Sequence, residues 1–191
     1  MTHFIPKKYW PWVAVVGVIA LMVGILRLEG RVWFCECWEM LFWVGEARSS
    51  HTSQHSFDPY SFTHMLHGLI FFWALKWLLP KWEWPWRAWL AVVLEASWEI
   101  LENSPLIINR YREATAALGY SGDSVLNSLG DVVSCLIGFV IASRFGWRAS
   151  VAIFVVTEIV LLITIRDSLL LNVVMLAVDV PWLKEWQQAA G

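Results

Sequence analysis

The sequence predicts an all-α polytopic membrane protein, one domain over residues 1–191 with five spanning helices and a short C-terminal helix. Composition is the first reason: 58% of residues are hydrophobic and 16% charged, with a mean hydropathy of +0.55. A soluble domain is about 45–50% apolar and about 25% charged. The second reason is five apolar runs, each close to the roughly 20 residues that cross a bilayer's hydrocarbon core. The third is the placing of the tryptophans, 15 in all. Many crowd the polar ends of those runs, where an amphipathic indole suits the headgroup layer.

The first run, residues 12–28, follows Lys7 and Lys8 as a signal peptide would, but it lacks an A-x-A cleavage pattern and leads into Arg27 and Arg31. It is read as a retained helix. Further runs cover residues 60–79, 85–102, 123–142 and 147–165. A last run, 168–178, is short for a crossing and is expected as an interfacial, re-entrant or shortened sixth helix ended by Pro181. Basic residues divide evenly between the two sides. Four of the five lysines fall on the side of the N-terminus, and the basic residues opposite sit among Glu36, Glu39, Glu46, Glu113 and Asp167. The chain is therefore expected in the bacterial inner membrane with its N-terminus cytoplasmic. The long non-spanning segments, 29–59 and 104–122, then fall outside and are expected to carry function.

A net charge of -2 leaves no basic surplus to neutralise a phosphate backbone, so nucleic acid is excluded as a partner. Three cysteines are too few for a disulfide scaffold. Cys135 lies in an apolar run and reads as a buried thiol, whereas Cys35-x-Cys37 reads as exposed cysteines, a soft metal pair or a redox-sensitive thiol pair.

Three polar ladders recur at helical spacing inside apolar runs: Tyr60, His64 and His67; Glu95, Glu99 and Glu102; Asp123, Asn127 and Asp131. Each lines one face of its helix. Because spans alternate in direction, all three converge at the outer face. Ionised Glu95, Glu99 and Asp131 facing lipid would together cost ~8–10 kcal/mol, so they face inward and find partners. Available cations are Arg110, Arg112, Arg166 and the histidines, with Glu158 able to join from deeper. A satisfied network holding helices together accounts for the same residues, although buried ion pairs are a poor source of net stability.

His64-x-x-His67 has the spacing of two ligands on one face, and with Glu95 and Glu99 it suits a divalent Zn, Fe or Mn ion. His51 and His55 read as solvated loop residues, with metal ligation or substrate contact as alternatives. The planar forks of Arg110 and Arg112 match phosphate or carboxylate oxygens, or form salt bridges to Glu99 and Glu102.

The stretches Ser53-Gln54-His55 through His64-x-x-His67-Gly68, Trp98-Glu99-Ile100-Leu101-Glu102-Asn103-Ser104-Pro105, Ile108-Asn109-Arg110-Tyr111-Arg112 and Gly119-Tyr120-x-Gly122-Asp123-Ser124-Val125-Leu126-Asn127-Ser128 resemble an uncharacterised bacterial inner-membrane family, domain of unknown function 2585. The match runs from Arg31 to Trp186 and departs from the family pattern at Thr52 and Pro59. More distantly, a His-bearing helix, a Glu-bearing helix ending near an Arg, and Asp123-x-x-x-Asn127-x-x-Gly130 with Gly138 look like VanZ-like membrane proteins. That resemblance implies a compact helical bundle with its polar site at one membrane face.

The expected function is action on a lipid or lipid-linked head group at the periplasmic face. Glu99, Glu102, Asp123 and Asp131 would be acid-base groups, and His64, His67, Glu95 and Glu99 metal ligands. Arg110, Arg112, Arg166, Asn127 and Tyr60 would contact substrate. The alternative is a non-enzymatic accessory or assembly subunit of a larger membrane complex. A proton-coupled transporter ranks third, since no inverted repeat or paired broken helix is present.

Overall fold

A computed structural model of the chain describes residues 6–115, 117 and 119–189. The apolar runs fold as helices, and the described residues contain seven: α1 (Trp10–Leu28), α2 (Ser61–Leu78), α3 (Trp84–Glu102), α4 (Pro105–Ala114), α5 (Val125–Thr164), α6 (Leu169–Ala177) and α7 (Pro181–Gln188). The fold is all-α; an isolated parallel bridge joins Trp43 to Phe57. Prolines open α1, α3, α4 and α7 in the first turn, where the missing N–H has no helical partner to lose.

The fourth and fifth runs form one element, α5, broken at Gly146, whose φ of 79° and ψ of 178° are not helical. A straight 40-residue helix would be about 60 Å long. Instead the second arm returns. Near the start of α5, Ser124 bonds the Ser53 carbonyl, and just past its end the Ile165 carbonyl accepts from Arg48 on the same loop. Between them, Ser150 accepts from Trp73, far along α2. The start of α2, the end of α3 and the start of α5 therefore share one face of the bundle, the convergence that alternating runs predict.

Among the described residues, two helical segments are long and apolar enough to cross a membrane: Lys7–Leu28, with mean hydropathy 2.2, and Val125–Thr164, with 1.9. The similar lengths of α2 and α3 carry the histidine and glutamate ladders, which make them more polar. α3 lies centrally. On one side its Val92 and Ala96 meet Met22 and Leu26 of α1; on the other its Ala88 and Ala91 meet Leu69 and Phe72 of α2 and Phe139 of α5. α2 and the first arm of α5 approach backbone to backbone through glycine. A methyl group at Gly68 would sit inside the van der Waals envelope of the Cys135 carbonyl, and one at Gly138 would meet the Met65 carbonyl.

The last apolar run resolves into nine-residue α6, about 14 Å long and too short to cross. Its N-terminal amides, Leu169 and Leu170, donate to Glu158 at 2.9 and 3.2 Å. Glu158 thus caps α6 and does not join the acidic cluster as the sequence reading allowed. At the other end Arg110 donates to the carbonyls of Met175 and Leu176 at 3.0 and 2.9 Å. A carboxylate at the N-terminus and a guanidinium at the C-terminus both oppose the helix dipole. Pro181 opens α7 as well as following the end of α6.

Candidate functional site

The three ladders meet at the shared end of the bundle, where α2, α3 and α5 pack against the loop before α2. His64 Nδ1 lies 2.5 Å from Glu95 Oε1 and 3.3 Å from Glu99 Oε1, while its Nε2 is 3.9 Å from Asp131 Oδ2. His67, one turn along, places Nδ1 3.0 Å from Glu95 Oε2. Glu95 and Glu99 are wholly buried. Ser61 donates to Asp131 at 2.7 Å, but neither carboxylate oxygen of Glu99 has a hydrogen-bond partner among the described residues. Such a group needs a proton or a cation.

Beside this cluster is a cavity of about 790 Å³ with two kinds of wall. His64, His67, Glu102, Tyr111, Asp123 and Asp131 form the polar side; Phe71, Leu94, Trp98, Leu101 and Leu176 form the apolar side. Loop residues 47–50, 52–54, 117 and 119–122 border it, including Arg48. Asp123 is held by Asn103 at 2.9 Å and by the Tyr120 hydroxyl at 3.0 Å. Tyr60 donates to Asp167 at 3.2 Å. Burial, then the Glu102 carboxylate, pushes the Tyr111 phenol well above its ordinary range; burial, then Asp123, does the same for Tyr120. Both phenols therefore stay protonated donors.

Of the residues singled out in the sequence, His64, His67, Glu95, Glu99, Glu102, Asp123, Asp131 and Tyr60 gather here. The arginines do not. Arg110 holds the end of α6, Arg112 donates to the Tyr120 carbonyl at 2.5 Å, and Arg166 donates to the Trp186 carbonyl at 2.8 Å with its guanidinium over the Trp186 ring. Asn127 is buried and donates to the His55 carbonyl at 3.0 Å, so it fastens the loop. His55 is buried, contrary to its reading as a solvated residue. Sequence reasoning missed Asp58, whose carboxylate accepts from the backbone amides of Ser53 and Tyr60 at 2.8 and 2.7 Å. The legible signal was an aspartate two residues before a helix cap, the pattern of a side chain that closes a turn. Asn103 was missed too, although it directly follows the glutamate ladder.

Among the described residues, three groups of side chains bring ligand-type atoms within 4.8 Å of one another: His64, His67 and Glu95; His64, Glu99 and Glu102; and, away from the cavity, Cys35, Cys37, His51 and His55. The first two share His64, so either group could hold a metal ion through a mixed nitrogen and oxygen donor set.

The profile of a family described as protein of unknown function (DUF2585) matches residues 26–189. The chain belongs to this family. A UPF0314 protein of Sphingopyxis alaskensis is 45% identical over 181 residues, covering 92% of this chain and 94% of its own. One from Rhizobium meliloti is 44% identical over 174 residues, covering 91% and 88%. Another, from Paracoccus denitrificans, is 42% identical over 183 residues, covering 96% and 95%. No solved structure matches the chain significantly. The DUF2585 assignment agrees with the motifs on the three ladders and brings no reaction with it.

Proposed function

We propose that this DUF2585 protein is a multi-pass inner-membrane protein that binds a divalent metal at the His64, His67 and Glu95 cluster and acts on a lipid or lipid-linked head group at the periplasmic face. The observation that carries the reading is the two-sided cavity: an apolar wall suited to an acyl chain joins a buried histidine and carboxylate floor. Glu95, Glu99, Glu102, Asp123 and Asp131 outnumber the nearby cations, so the floor favours a positive ion over a bare anion. A divalent ion there supplies the charge that attracts a phosphate and serves as a Lewis acid. Glu102, Asp123 and Asp131 remain to move protons, with Tyr111 donating to Glu102.

Support for the membrane comes from the apolar side chains left exposed on the outer faces, such as Val16 and Leu21 of α1 and Val151, Val155, Ile159 and Ile163 of α5. In water so many would form an aggregation-prone patch; in lipid they are at home. The two arms of α5, with α1, α2 and α3, make the five spans of a bundle with VanZ-like order, and α6 serves as a re-entrant piece. Exposed Trp38, Trp77 and Trp182 favour a second reading, an accessory subunit that docks on a larger membrane complex. Stoichiometric partners retained in gentle detergent would support that reading.

The test is elemental analysis in mild detergent without chelator, with mass spectrometry of co-purified lipid. His64→Ala/His67→Ala is expected to lose one equivalent of divalent metal and the retained lipid. Unchanged metal in that variant, or unchanged cellular lipid composition and envelope phenotype in His64→Ala, Glu99→Ala and Asp123→Ala at equal protein levels, would sink the proposal.

A further inference from the structure

Residues 29–60 carry a second group of ligand-type side chains that the cavity does not use. The structure pairs Cys35 and Cys37 as a disulfide, with Cα atoms 5.2 Å apart, and the same two sulfurs are ligand-type atoms once that pair is reduced. Cys35 Sγ is 3.5 Å from His51 Nδ1, Cys37 Sγ is 3.9 Å from His55 Nε2, and those two nitrogens are 3.3 Å apart. Four soft or borderline donors thus surround one point, although the histidines follow the cysteines by more than a dozen residues. We propose that Cys35, Cys37, His51 and His55 hold one structural zinc ion.

The geometry suits the ion. Bonds of about 2.3 Å to sulfur and about 2.0–2.1 Å to nitrogen at tetrahedral angles place two nitrogens roughly 3.3 Å apart, and a nitrogen and a sulfur roughly 3.6 Å apart. The imidazole spacing and the Cys35–His51 spacing already match, whereas the two sulfurs, paired as a disulfide, must move apart to about 3.8 Å to take two corners of the tetrahedron. The order, Cys-x-Cys followed by His-x-x-x-His, differs from the common zinc spacing by one residue between the cysteines. Four protein ligands close the coordination sphere, which marks a structural rather than a catalytic centre. Binding takes the dithiol form: a dithiol reductant first gives the Cys35–Cys37 pair two electrons and two protons, the two thiols then lose their protons to solvent, two neutral imidazoles donate lone pairs, and the zinc step itself changes no oxidation state. Coordination through His55 Nε2 leaves the ring proton on Nδ1, so the Leu41 amide, 3.2 Å from Nδ1, must turn to another acceptor.

What the ion would hold follows from the backbone around it. The carbonyls of Ser53, Gln54 and His55 accept from Ser124 N–H, the Ser124 hydroxyl and the Asn127 amide at 2.8, 3.1 and 3.0 Å. Those bonds anchor the loop to the first turn of α5. Residues 47–50 and 52–54 of the same loop border the cavity. The ion therefore staples the loop that walls the cavity, without touching the cavity itself.

Full-length protein purified anaerobically in mild detergent without chelator is expected to carry one zinc that Cys35→Ser/Cys37→Ser lacks and His64→Ala/His67→Ala keeps. Failure here and failure of the cavity reading are thus separable. Because the serine variant can fail by misfolding, wild type is also grown with Co(II). A thiolate-to-cobalt charge-transfer band with tetrahedral d–d absorption is expected, together with alkylation of Cys35 and Cys37 only after chelation. Wild-type protein without zinc, cobalt bound without a thiolate band, or Cys35 and Cys37 joined as a disulfide in freshly purified protein would overturn the proposal.

Discussion

Asn103 and Asp123 clasp each other: the Asn103 side-chain Oδ1 accepts the Asp123 backbone N–H at 2.6 Å, and the Asn103 side-chain Nδ2 donates to the Asp123 carboxylate at 2.9 Å. The same amide also donates to the Glu99 carbonyl at 3.0 Å. The end of α3 is thereby tied to the start of α5, and Asp123 is aimed into the cavity. Asn103→Ala leaves a buried amide and a buried carboxylate oxygen unpaired, each costing about 1–3 kcal/mol. The expected outcome is a clear fall in melting temperature in detergent and faster amide exchange at residues 119–124. Asn103→Asp is expected to be worse, because it faces one carboxylate with another.

Gly68→Ala and Gly138→Ala are expected to lower stability by more than about 3 kcal/mol or to abolish folding, since the new methyl group meets the facing helix's backbone and neither helix can yield locally. Gly17→Ala and Gly24→Ala, where nothing lies within 4 Å, are the controls. They are expected to be neutral or slightly stabilising. Equal behaviour of the two pairs in thermal unfolding would contradict the close packing of α2 against α5.

Burial pushes the Asp167 carboxyl up to about 6, against hydrogen bonds from the Ser168 amide and the Tyr60 hydroxyl. A folded value above the unfolded one means that the folded state binds the proton more tightly. This group's contribution to stability is therefore fully present below about pH 4, falls as pH rises to about 6, and is level beyond. Asp167→Asn cannot ionise. Its melting temperature relative to wild type is expected to rise across that window and then stay constant.

Glu158 and Arg110 hold opposite ends of α6, so Glu158→Ala and Arg110→Ala are each expected to cost about 1–2 kcal/mol. Both are expected to speed amide exchange across residues 168–177. Arg166→Ala, whose guanidinium reaches the Trp186 carbonyl and ring, is expected to leave that exchange unchanged.

Much of this protein was readable from periodicity. Apolar runs near 20 residues gave the helices their length, and His64 and His67, Glu95 and Glu99, and Asn127 and Asp131 shared faces because helical spacing alone puts them there. Convergence followed from alternation of direction. Cys-x-Cys and His-x-x-x-His were also visible, but as two unrelated scraps.

Tertiary structure decided which donor found which acceptor. Nothing local to Glu158 says that it caps a helix eleven residues later, and nothing local to Arg110 says that it seals the far end of that helix rather than meeting a substrate. The approach of Cys35 and Cys37 to His51 and His55 likewise depends on a loop fastened by Ser124 and Asn127 from another part of the chain. Periodicity is set by backbone geometry within a segment and so is written in the sequence, whereas the partner of a long polar side chain is chosen by packing between segments that the sequence does not order in space.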